Sequence, residues 1–393
     1  LRDNTTASNN TSVGHAALRE NETGANNTAV GNKALVANTT GANNTALGAT
    51  SLDANTSGNN NVAIGQDALG KNTTASSNVA VGQGSLADNT TGSENTALGR
   101  IALGENTTGL YNTAVGANAL NANTTGTSNT SVGADAGKTQ TTANACTWIG
   151  VEAGRDNTAS NNIGIGSGVM RLNTSGTRNT AIGTGVYGST HGALSANTTG
   201  TRNTSLGCLT LRSNTTANEN TALGAEALAD NTTGATNTAV GAYALDANTT
   251  GGGHTAVGAF ALTANTTGSE NNALGKSALG ANTTGSNNNA VGREALRHNT
   301  EGDNNTAMGH EALEANTTAD ANSAFGYQSL KANTTGIQNV AVGAYALDAC
   351  TTGNYNVAVG NNALGVVTTA QKNTAVGTSA LSDNTSGSLN TAV

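Results

Sequence analysis

The chain has 393 residues, yet aromatic residues make up 2 %, charged residues 10 %, and proline is absent. That composition excludes a thick globular core of Phe, Trp and Leu. A formal net charge of −8 leaves no basic stripe for nucleic acid, and no run of 18 apolar residues offers a transmembrane helix. Disorder normally brings abundant Pro, Glu and Lys, so order here is expected to come from repetition.

An anchor glycine opens the pattern at Gly14 and recurs at Gly31, Gly48, Gly65, Gly82 and onward to Gly377. Of its 21 spacings, 19 are 17 residues, one is 16 and one is 24. The consensus reads N-T-A-V-G-x-x-A-L-x-A-N-T-T-G-x-x. In chain order, 1-133 holds regular coils, 134-196 holds irregular coils with a seven-residue insertion near 185-192, and 197-393 is regular again. The chain starts at Leu1 and stops inside a repeat, so it reads as one continuous solenoid cut from a longer polypeptide.

Each coil predicts two short strands. The first ends on an apolar residue just before the anchor, as at Val30, Leu47, Ile64 and Val81. Alternate strand residues share a face, so that column is expected to point inward. The second contains Leu four residues after the anchor, as at Leu35, Leu52, Leu69 and Leu86, and supplies a second inward ladder. A helix over that leucine is disfavoured, because 17 residues leave too little chain and Asn, Thr and Gly are poor helix formers. Two asparagine columns are read as corners: Asn27, Asn44 and Asn61 before the anchor, and Asn38, Asn55 and Asn72 after it. Asn suits turns and its amide can bond its own copy one coil away.

The predicted fold is therefore all-β: a parallel β-solenoid, or β-roll, of about 23 coils. At about 4.8 Å per coil the rod would be on the order of 110 Å long. One coil buries too little apolar surface to order its own backbone, so stability must reside in the contacts between coils. Thin coils favour self-association, as a lateral homotrimer or an end-to-end filament. The Ala29, Ala46, Ala63 column either lets neighbouring chains approach or is small because the coil is crowded.

The run Asn61-Val62-Ala63-Ile64-Gly65 followed by Ala68 resembles the head repeats of trimeric autotransporter adhesins. The stretch from Asn231 to Gly241 is similar to repeats of phage and bacterial tail-fibre-like proteins that end in an intramolecular chaperone domain. The resemblance covers nearly the whole chain. It implies a surface-exposed, often trimeric β-roll used for reach and attachment, placed outside the cell, on its surface or on a virion. The period of 17 departs from the roughly 14 of the adhesin heads.

Chemistry is sparse. His15, His191, His254, His298 and His310 fall at different repeat phases, carboxylates are scattered, and no Cys/His spacing suits zinc. Cys146, Cys208 and Cys350 are odd in number and far apart, so they read as small apolar residues rather than a disulfide framework. No cofactor is expected, and the chain reads as a non-catalytic fibre, filament shaft or adhesin stalk. Asn-x-Thr/Ser is the glycan acceptor signal; candidates are Asn38, Asn55, Asn72, Asn89, Asn106, Asn123, Asn231, Asn248, Asn265 and Asn282. An interior or turn ladder is the competing reading of the same column. The alternative function is a ligand-binding solenoid. It would recognise surface glycans through Tyr187 and His191 in the inserted loop, or ice through the Thr39-Thr40 column. The leucine ladder lapses at Gly137, Gly154, Met170 and Tyr187, close to Trp148, the only tryptophan.

Overall fold

Threonine and aliphatic residues flanking an alanine favour extended backbone, and three-residue strands form just before the anchor glycines. The computed structural model describes residues 2–184 and 192–393. It contains two compact units, Leu1–Arg202 and Asn203–Val393, each a parallel β-solenoid. The described residues hold 23 strands and no helix. Those of the first unit run from β1 (Thr11–Val13) to β11 (Thr180–Ile182), and those of the second from β12 (Thr204–Leu206) to β23 (Thr391–Ala392). Like lies on like: Thr28 pairs with Thr45, Ala29 with Ala46, and Val30 with Leu47.

One strand, not two, is found in each coil. The segment carrying Leu35 is a run of tight turns. Lys33 and Leu35 both have positive φ, 59° and 52°. The Ala34 N–H bonds the Gly31 carbonyl and the Val36 N–H bonds the Lys33 carbonyl, so both residues sit third in their turns. The turns still stack. The Leu35 N–H donates to the Ser51 carbonyl at 3.0 Å, and the Lys33 N–H to the His15 carbonyl at 2.8 Å. Hydrogen bonding between coils thus runs along the turn edge as well as the strand edge.

The inward column of the strand is alanine. Ala29, Ala46 and Ala63 are fully buried, whereas Leu47 is 47 % exposed. Val30, Ile64 and Val81 are half-exposed as well. The expected inward ladder of Val30, Leu47, Ile64 and Val81 therefore faces outward. The reason is thickness. Leu35, Leu52, Leu69 and Leu86, all fully buried, project from the turn edge toward the strand, and a leucine opposite another large side chain would force the walls of the coil apart. The near atoms around Gly137, which replaces one such leucine, include the Ser131 and Trp148 side chains from the strand column. The crowded-coil reading of the alanine column holds, and that column is not a surface for neighbouring chains.

The anchor glycine is needed where coils touch. Gly65 has φ +128°, and a Cβ there would lie 2.7 Å from the Gly82 carbonyl carbon. No side chain must shift to relieve that contact; the backbone of the next coil must. Gly65→Ala is expected to destabilise the coil by about 2 kcal/mol or more, read as a lowered thermal midpoint. An unchanged midpoint would mean that adjacent coils are less tightly stacked than described.

Irregular coils keep the same frame. The 16-residue spacing removes one residue between Asn157 and Asn162. The 24-residue spacing is absorbed before Gly192. The rung after Met170 is filled by Leu194, which is fully buried, and the Met170 N–H bonds the Ala193 carbonyl. The ladder therefore passes from Met170 to Leu194. Tyr187 and His191 lie outside the described residues.

Candidate functional site

Inside the regular coils the two asparagine columns meet at one backbone carbonyl. The Asn38 amide donates to Asn21 Oδ1 at 2.7 Å and to the Gly41 carbonyl at 2.9 Å. Asn27 Nδ2 donates to that same Gly41 carbonyl at 2.8 Å. Asn27 Oδ1 in turn accepts the Asn44 backbone N–H of the next coil at 2.9 Å. The pattern repeats at Asn61, Asn55 and Asn72. These asparagines are fully buried and do not adopt positive φ; the left-handed residue lies one place before the first column, as Asn26 at 58°, and three places before the second, as Leu35 at 52°. They are an internal polar ladder, and the corner conformation belongs to their neighbours.

That placement corrects the glycan reading. Asn38, Asn55, Asn72, Asn89, Asn106, Asn123, Asn231, Asn248, Asn265 and Asn282 are all fully buried. A folded coil has no room for a sugar on an amide nitrogen that already donates two hydrogen bonds. The Thr39 hydroxyl is also engaged, donating to the Thr56 carbonyl at 3.1 Å, while Thr40 stays exposed.

Substitutions in the ladder show what it requires. His254 takes an asparagine place and is buried. Its Nδ1 accepts the Asn271 N–H at 3.1 Å, standing in for the amide oxygen, and the ring bonds the Gly268 carbonyl, standing in for the amide N–H. Its phase, four residues before Gly258, is that of Asn27 before Gly31, so the sequence itself sets this histidine in the asparagine column. Burial pushes its pKa down, and a proton on Nδ1 would meet the Asn271 N–H. Because the unfolded chain binds that proton more readily, stability is complete above about pH 6.5 and is lost as pH falls below it. His254→Asn is expected to flatten the dependence of the thermal midpoint on pH between neutrality and mild acid; an unaltered slope would contradict this role.

Two other replacements break the ladder. Gln140 and Cys350 leave Asn123 Oδ1 and Asn333 Oδ1 without a hydrogen-bond partner among the described residues. Burial raises the Cys146 and Cys350 thiols to about 11, whereas Cys208 is exposed.

The outward face of the strands repeats on every described rung. Its two columns are Thr, Asn, Ser or a β-branched aliphatic on one side and Val, Leu, Ile, Met or Phe on the other. Among the described residues no strand carries a charged side chain. Leu98 is 47 % exposed and Leu274 51 %. Charged side chains occupy the turn edge and loops instead, in exposed or half-exposed pairs such as Lys71–Asp88 and Arg212–Asp230. Among the described residues no group of three His, Cys, Asp or Glu is placed to hold a metal ion. No described helix is long and apolar enough to cross a membrane.

The fold and its stacked ladders define a parallel β-solenoid repeat protein. No protein-family model matches the chain, and no curated protein matches it.

Proposed function

We propose that this chain is a structural stretch of an extracellular fibre, filament shaft or adhesin stalk, non-catalytic and assembled laterally from copies of itself. The uncharged aliphatic column, exposed on rung after rung, carries this reading. Such a face is large for a lone chain in water. A partner repeating at the same coil spacing matches it best, and a second copy of this chain has that spacing by construction. Eleven rungs in the first unit, each offering several tens of Å² of aliphatic surface, approach the roughly 800 Å² per partner of a stable interface. Resemblance to adhesin heads and tail-fibre-like repeats supports the same reading and suggests a trimer at a cell or virion surface.

Sedimentation and electron microscopy at micromolar protein test it. Lateral multimers are expected for the natural chain. Monomers are expected once Leu47, Leu98 and Leu223 are changed to Glu, with the circular dichroism unchanged. A natural chain that stays monomeric at those concentrations would overturn the proposal.

A further inference from the structure

We propose that the turn edge of the second unit carries a groove, centred on Phe260, that binds an acidic pyranose residue. The column two residues after each anchor glycine points outward there and reads Tyr243, Phe260, Ser277, Glu294 on successive coils. Tyr243 and Phe260 stack with ring centroids 5.3 Å apart and planes 5° from parallel. Tyr243 covers one face of the Phe260 ring. The other face looks toward the next coil, where Ser277 is too short to continue the stack, and Phe260 remains 42 % exposed.

Beyond that ring lies a groove of about 370 Å³, within the size range of small-molecule sites. Ser277, Gly280 and Ala281 keep its floor low, and Arg297 and His298 of the following coil form the far wall. Two coil rises separate the walls, about 10 Å. That span holds one six-membered ring lying against Phe260.

The two walls differ in chemistry, and the difference selects the ligand. Sugar C–H bonds carry partial positive charge and pack against the negative face of an aromatic ring. Arg297 is 45 % exposed and pairs with Glu294 only at 3.6 Å, while Arg293 holds the same carboxylate at 3.0 Å. Residues 276–298 carry Lys276, Arg293 and Arg297 against the single carboxylate of Glu294, in a chain of net charge −8. This stretch therefore favours an anion, and a guanidinium takes a carboxylate through parallel N–H donors. The Thr263 hydroxyl donates to Asp246 Oδ1 at 2.6 Å, which leaves its oxygen free to accept from a sugar hydroxyl. Thr263 and Ser277 thus place hydroxyls beside the ring, matching the rim of a saccharide better than the bare edge of an aromatic ligand. The groove rests on turn-edge residues and is independent of the strand face.

Calorimetric titration with trigalacturonate tests this, with maltotriose as the neutral control and adenosine monophosphate as the aromatic anion. Trigalacturonate is expected to bind at least about tenfold more tightly than either control. Phe260→Ala is expected to weaken it by about tenfold or more. Ser277→Phe extends the stack with the chain's own ring and is expected to abolish binding at an unchanged thermal midpoint. Arg297→Gln is expected to erase the preference for the acidic sugar. No binding by the natural chain, tighter binding of the nucleotide, or binding that survives Ser277→Phe would overturn the proposal.

Discussion

Gly154→Leu, which installs the residue most coils carry at that place, is expected to destabilise the first unit by about 3 kcal/mol or more, at the severe end for overpacking. Backbone conformation is not the obstacle: Gly154 has φ +56°, close to the +52° of Leu69 in the same column. The obstacle is Trp148, in β9 (Thr147–Ile149). A Cβ on Gly154 would lie 2.3 Å from its Cδ2. The indole occupies an alanine place and reaches across the coil into space that two leucines would fill. Gly137 and Gly154 stand in the leucine column beside it, and Gly164 in the next strand. Gln140 replaces an asparagine and accepts the indole N–H at 3.0 Å.

Trp148→Ala alone is expected to cost about 3–5 kcal/mol, because it empties that space. The double change Trp148→Ala with Gly154→Leu restores the consensus at those two places, leaves Gly137 in the leucine column, and should recover part of the loss. Thermal and urea melts of the four proteins would show coupling of about 2 kcal/mol or more between the two sites. Simple additivity, or a Gly154→Leu protein as stable as the natural one, would sink this account.

Asn55→Ala is expected to cost about 2–4 kcal/mol, since each buried polar atom left unpaired costs about 1–3 kcal/mol. The change removes donation to Asn38 Oδ1 at 2.8 Å and the oxygen that receives Asn72 Nδ2 at 2.9 Å. The Gly58 carbonyl keeps its bond from Asn44 at 2.8 Å, so the damage centres on the two neighbouring ladder amides. Asn55→Asp should be worse at neutral pH, where a buried carboxylate faces the Asn38 oxygen. Burial raises the folded-state pKa of such a carboxyl, so this variant should regain stability as pH falls toward the unfolded value near 4. Because stability in stacked repeats is local, hydrogen exchange should rise first in the coils around residue 55. Loss confined to that one residue, or none, would show the ladder to be dispensable.

Much of this architecture is legible from spacing. A period of 17 with identical chemistry at fixed phases leaves stacked coils as the arrangement that pairs like with like, and the buried leucines at Leu35 and Leu52 follow from it. The facing of the strand was not legible. Alternation over three residues fits Val30 inward or Ala29 inward equally well, and hydrophobicity favours the wrong choice. The asparagine column was legible as an interior or turn ladder, and burial removes the glycan reading that Asn-x-Thr added beside it. The Tyr243–Phe260 stack was visible in principle, both residues lying two places after an anchor glycine.

The sequence by itself determined the period, the parallel register and the repetition of every ladder, because a fixed spacing carries each side chain to the same place on the next coil. Only the tertiary structure decided which side of the strand is inside, because that depends on the distance between the walls of the coil. A leucine on the turn edge leaves room for an alanine opposite, so the larger aliphatic residues are turned out to the surface. The same narrow interior leaves the asparagine amides no water to bond, and so binds them to the backbone and to one another.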